Sequence, residues 1–288
     1  MNSTLKLWTQ LGLGTALAGG LLAACGGEAG GESGGEGAQS APEAAATAGE
    51  GEGGAGEGES GASAIPAGGE GEGGVAVANA AKDPVAYGIA LAVAEAHVVA
   101  ARDAYAAGNK EAAAEMFAHP VSEVLIDMDP AFTKLGVADM KPLFTIASVA
   151  ASEGKSVAEV NKAYDKIIAA LRGAAQKAPK DAVSPAKVAT GVIADQLERS
   201  SAMYRRIAKE TSYEPYLDGY GFSRVAAGTF AASGAAIKAE NPAAHARITE
   251  ALAQLAKAYP GAARPAKLPG DAGALSGASA KVMLAAAN

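Results

Sequence analysis

The sequence predicts an all-α fold, an up-and-down bundle of about six or seven helices behind a disordered N-terminal tether. Three observations predict it. Beyond about residue 82 apolar side chains recur at three- and four-residue spacing, helix starts are punctuated by capping residues followed by proline, and no alternating stretch with a hairpin turn competes.

The elements follow in chain order. Asp83-Pro84 opens a first helix with a capping acid and an N1 proline, and Gly108 ends it before Asn109 caps the next. From Pro84 to Ala101 this helix is apolar on all sides except for Glu95 and His97, so it belongs in the middle of a bundle. Ser156 and Glu159 form a capping box. The stripe Val157, Val160, Tyr164, Ile167 and Leu171 follows it. Ser184-Pro185 starts another helix, with Ala189, Ile193, Leu197, Tyr204 and Ile207 on its inner face. Asn241-Pro242 starts a third, with Ile248, Leu252, Leu255 and Tyr259 facing inward. A loop is expected near 211–222, and a Pro/Gly-rich tail over 261–288 that ends in a short helix.

Before residue 82 the composition is of another kind. From Gly26 to Ala81 there is no Lys, Arg or aromatic residue, but there are ten Glu among many Gly. Such a chain buries too little apolar surface to offset its ordering entropy. The formal net charge of −7 belongs to this tether, because residues 82–288 carry 23 basic and 21 acidic side chains. The folded part has no basic stripe, which argues against a nucleic-acid partner. With one cysteine in 288 residues, neither a disulfide framework nor a cysteine metal cluster is available.

The single cysteine has a specific setting. Lys6, the apolar stretch Leu11 to Leu22 and then Leu22-Ala23-Ala24-Cys25 resemble the lipobox of bacterial lipoproteins. That resemblance implies a leader over 1–24, acyl chains on Cys25 of the palmitate kind, and a lipid bilayer as partner. Gly26 stands where an inner-membrane protein of that kind would carry Asp, so the expected address is the outer membrane, with the domain in the periplasm or at the cell surface. The linker over 25–81 would let the domain, residues 82–260, reach roughly 40 Å from its anchor.

Candidate chemistry sits in the helical part. His97 lies on the apolar first helix, where an imidazole needs either a hydrogen-bond partner or a ligand. His119, Glu123 and Asp127 stand at i+4 spacing, so they either share a face as metal ligands or mark a helix start with Glu123 facing solvent. Glu95 is a supporting candidate. Bundles build metal sites from inward-facing Glu and His, and ligation by nitrogen and oxygen without sulfur suits iron, zinc or manganese. A second cluster, Tyr213, Tyr216, Asp218, Tyr220, Phe222 and Arg224, concentrates aromatics in a chain otherwise poor in them; it is either a rim for a ligand or partner or a plug closing the bundle. His245 is expected to be partly buried near a helix start. No nucleophile triad, phosphate loop or two-histidine protease motif is present, so no enzyme is expected.

Glu95-Ala96-His97, the turn Ala104 to Asn109, His119-Pro120-Val121-Ser122-Glu123 and the run Tyr216 to Phe222 resemble segments of the imelysin and EfeO-like periplasmic helical proteins linked to iron uptake. The resemblance spans about half of the folded domain. It implies iron binding and a membrane transporter as partner. The imelysin signature Gly-x-His-x-x-Glu is absent, since Glu95 precedes His97 by two residues and Ala100 follows it by three, which speaks against peptidase activity. The expected function is a membrane-anchored lipoprotein that binds a metal ion, iron foremost, and helps its uptake or delivery. The alternative is a non-catalytic helical module docking another envelope protein.

Overall fold

A computed structural model describes residues 77–287. The expectations for the leader, for Cys25 and for the linker up to residue 76 fall outside the described residues. Every regular element among the described residues is helical.

Helix α1 spans Pro84–Ala106. The Asp83 carboxylate caps it, accepting from the Val85 and Ala86 amides at 2.8 and 3.2 Å. Gly108, at φ 93°, turns the chain out of it. Next come α2 (Lys110–Pro120), a π turn (Val121–Leu125) and α3 (Ile126–Leu135), which run on without a break. Pro120 explains the π turn: it has no N–H to give to the preceding turn and its ring crowds that turn's carbonyl, so the helix widens there. Asn109 precedes α2 without capping it, and its side-chain amide donates instead to the Tyr213 hydroxyl at 3.0 Å.

Helices α4 (Lys141–Ser152) and α5 (Val157–Ala175) follow, α5 opening on the Ser156/Glu159 capping box. Then come α6 (Pro185–Ile207), α7 (Glu214–Glu240), α8 (Pro242–Ala258) and α9 (Ala272–Ala287). Ser184 and Asn241 accept from the Lys187 and Ala244 amides at 3.0 and 2.9 Å, as caps before proline should. The inner stripes are buried as spaced, with three departures: Val157 is about half exposed, and Tyr164 and Leu252 are only partly covered.

Helix α1 runs through the middle, packed by α2, α5, α6 and α7. It is long and apolar enough to cross a membrane, but 83% of that stretch is buried in the bundle, as a core helix is. Small residues let its neighbours come close. A Cβ on Gly191 would lie 2.7 Å from Val85, and one on Gly88 would lie 2.9 Å from Val192, so α1 and α6 interlock through paired glycines and valines.

One expectation needs correction. Residues 214–222 are not a loop but the first turns of the 27-residue α7, which starts on Pro215. The tail ends in a helix as expected, and it is tied to the bundle. Arg264 donates to the carbonyls of Ile207, Glu210 and Ser212, capping the end of α6. The Tyr213 and Tyr216 hydroxyls donate to Ala262 and Gly261 at 2.7 Å, and α9 packs on α6 and α8.

Tyr259 anchors this region from within. It is 3% exposed and donates to the Ser200 carbonyl at 2.9 Å. Tyr259→Phe is expected to lower stability by about 1 kcal/mol, read as a smaller urea midpoint at unchanged slope.

Candidate metal centre

Three segments converge beside the middle of α1. The helix itself supplies His97, which is 2% exposed. Its Nδ1 lies 2.8 Å from the Val93 carbonyl one turn back. A carbonyl can only accept, so Nδ1 carries a hydrogen and Nε2 is turned the other way. Histidines that ligate metals are fixed in the same way, the other ring nitrogen donating to a carbonyl or carboxylate.

Nε2 faces two carboxylates. Glu123 Oε2 lies at 3.2 Å and Asp218 Oδ1 at 3.5 Å. Both oxygens are buried and neither accepts a hydrogen bond. Buried polar oxygens without a donor are uncommon and call for an explanation. Glu123 comes from the π turn and Asp218 from the first turns of α7. The other Glu123 oxygen lies 3.7 Å from His119 Nδ1, at the end of α2. His119 Nε2 in turn lies 3.6 Å from Glu214 Oε1. Ligand atoms of His97, His119 and Glu123 all lie within 4.8 Å of one another, so these three could hold a metal ion. The His97 ring meets those of His119 and Phe222 edge-on, each at 5.9 Å, which closes the apolar side.

The electrostatics are those of a cation site. Burial pulls the His97 pKa down, but Glu123, Asp218 and the Val93 carbonyl outweigh it and the net shift is upward. Burial pushes Glu123 up, yet His97, His119 and Arg199 carry it below the ordinary carboxylate value. Asp218 is pushed up to about 7, by burial first and by its neighbours Glu123 and Glu214, with His97 pulling against them.

The structure gathers His97, His119 and Glu123 and leaves two other candidates outside. Glu95 points to another face of α1, where Arg172 holds both its oxygens at 2.7 and 2.5 Å. Asp127 is exposed on α3. The extra residue of the π turn explains this, because it rotates everything after it by roughly a quarter turn away from the His119 face.

Most of the aromatic cluster is buried, and Tyr213 lines a cleft at the start of α7. Tyr216, Tyr220 and Phe222 are 0, 7 and 2% exposed, packed inside the bundle. Tyr213 is half-buried and Arg224 is exposed. Tyr220 donates to Asp103 at 2.7 Å. Asp218 is the member that reaches His97, at 3.5 Å, a neighbour that sequence reasoning did not give it. The signal was available: once Pro215 is taken as a helix start, Asp218 is a lone carboxylate one turn from Phe222 on a buried face. His245 packs on Phe230, ring centroids 5.0 Å apart, and is not among the gathered residues.

No protein-family model matches the chain, and no curated protein or solved structure matches it either.

Proposed function

We propose that this chain is a membrane-anchored lipoprotein that binds a divalent metal ion, iron foremost, and delivers it to a transporter in the cell envelope. The observation that carries the reading is the convergence of His97, His119 and Glu123 within 4.8 Å, with an orphaned Asp218 oxygen beside them. Charge supports a divalent ion. Two neutral imidazoles and two carboxylates bring a charge of −2, which an M²⁺ ion neutralises, and buried charge is tolerated when it is paired. Two imidazoles with carboxylate oxygen suit iron(II), zinc and manganese(II), and iron is also what the resemblance of the His97 and His119 segments implies. The Leu22-Ala23-Ala24-Cys25 motif and the linker that follows it support anchoring at a membrane, with the domain free to meet a partner.

Calorimetric titration of the metal-stripped full chain with iron(II) under anaerobic conditions, and separately with zinc and manganese(II), tests the reading. One ion per chain is expected, and Glu123→Gln, which keeps the shape but removes the charge, should weaken binding by about 100-fold or more. No heat from any of the three ions would sink it. Zinc outbids iron(II) at most nitrogen and oxygen sites, so iron as the native cargo is decided by elemental analysis of the protein as isolated.

A further inference from the structure

His97 and Asp218 are sealed by apolar packing, so an ion has to approach from the side where the centre is partly open. That side is marked by His119 and Glu123, whose side chains are 22 and 24% exposed, and by Glu214 at 51%. A cleft of about 250 Å³ opens there, between the end of α2 and the start of α7. Glu115, His119, Tyr213 and Glu214 are its titratable lining residues, over a floor that includes Met116 and Leu217. No Lys or Arg is among the described residues that line it. Two arginines bear electrostatically on the centre, Arg199 on Glu123 and Arg206 on Asp218; they pair with Asp195 at 2.9 Å and Glu210 at 2.5 Å, and neither lines the cleft. The cleft is therefore a negatively charged funnel that ends at a histidine, and behind that histidine lie the buried Glu123 and Asp218 oxygens, which accept no hydrogen bond and face His97 Nε2 at 3.2 and 3.5 Å.

We propose that this cleft is the access route of the metal centre and that it selects the form of the cargo, admitting a free hydrated divalent cation and turning away negatively charged metal chelates. The inference rests on the metal-binding reading. A low-dielectric cleft lined by one sign of charge concentrates the opposite sign and raises its on-rate. The same field repels an anionic complex of the same metal. His119 stands between cleft and centre, with one ring nitrogen toward Glu214 and the other toward Glu123, so it receives the ion at the inner end and passes it to Glu123 and His97.

The test uses cobalt(II) as a coloured probe, mixed with the metal-stripped full chain in a stopped-flow instrument. Glu115 is exposed and bears on the site through its charge, beside His119, so Glu115→Lys leaves the folded core alone. The on-rate for free cobalt(II) is expected to fall by about tenfold at low salt, and the difference to shrink as salt is raised. Stoichiometry and the visible spectrum of the bound ion should stay as in the wild type. When cobalt is supplied in excess citrate, the loading rate of the wild type should track free cobalt and not total cobalt citrate. An unchanged on-rate in Glu115→Lys, or loading in proportion to the anionic citrate complex, overturns the proposal while leaving the metal site standing. A wild-type chain that takes up no cobalt overturns both.

Discussion

Gly221→Ala is expected to cost about 3 kcal/mol, and Gly221→Val to abolish the cooperative unfolding transition. A Cβ at position 221 would lie 2.3 Å from the Ala96 carbonyl oxygen and 2.8 Å from its carbon. Those atoms are backbone of α1, in the middle of a helix packed on all sides, and they cannot swing away. The chain must instead move α7 off α1, opening space around Phe222 and Asp218, and overpacking of that kind typically costs 1–3 kcal/mol or more. Gly219, two residues earlier, makes an instructive comparison. A Cβ there would meet the Tyr259 hydroxyl at 2.0 Å and the ring carbon that bears it at 2.4 Å. That obstacle is a side chain, so Gly219→Ala should be partly rescued by Tyr259→Ala, a coupling that a double-mutant cycle reads directly. No second substitution of a side chain should rescue Gly221→Val, because the clash is with backbone. Chemical denaturation followed by circular dichroism measures both. A Gly221→Ala protein within 0.5 kcal/mol of wild type, the range of an ordinary surface change, would show that α1 and α7 are not in such close contact.

The same glycines explain what was and was not legible in the sequence. Wherever helix starts carried a side-chain cap and a proline, as at Asp83, Ser184 and Asn241, the elements could be placed from local chemistry alone. The beginning of α7 broke the pattern. Gly219 and Gly221 within three residues weaken a helix intrinsically, and three tyrosines and a phenylalanine nearby resemble a binding loop. Their purpose is tertiary: the glycines admit the Ala96 backbone and the Tyr259 ring, and no property of residues 214–222 taken alone reveals those partners. For the candidate centre, His97, His119 and Glu123 were readable and Asp218 was not. His97 stood out as polar on an apolar helix, and His119 with Glu123 as a one-turn pair. Asp127 was misplaced because i+4 counting assumes 3.6 residues per turn, and Pro120 changes the count. Asp218 was hidden because its helix was hidden.

His97→Ala is expected to remove the response to metal altogether, and the pH dependence of the metal-free protein to show why. A ligand at a hundred times its Kd stabilises the native state by about 2.7 kcal/mol, or roughly 5–11 °C in Tm for a domain of this size. Wild type should show such a shift with added iron(II) or zinc, and His97→Ala none. In the metal-free protein the His97 imidazolium fills the place of the cation between Glu123 and Asp218. Its pKa is raised above 6.5, so its stabilising effect is present below 6.5 and disappears as pH climbs through the higher folded value. Asp218, raised from 3.8 to about 7, adds a penalty that is absent below 3.8, sets in between those values and is complete above 7. Glu123 is lowered, so its contribution changes only below 4.5 and is constant near neutrality. Above 4.5 the native state thus holds more protons than the unfolded one, through Asp218 up to about 7 and through His97 from 6.5 upward, so metal-free stability must fall as pH rises across that window. The metal displaces those protons, so the stabilisation it confers must grow across the same window. Tm recorded at several pH values with and without metal gives both slopes. In Asp218→Asn the charge penalty is gone, so the metal-free protein should gain about 0.5–2 kcal/mol near pH 8 while binding the ion more weakly, the exchange of stability for function expected of a binding site. A metal-free Asp218→Asn protein less stable than wild type at pH 8 would mean that Asp218 serves the fold, and that the oxygen facing His97 is not held there for an ion.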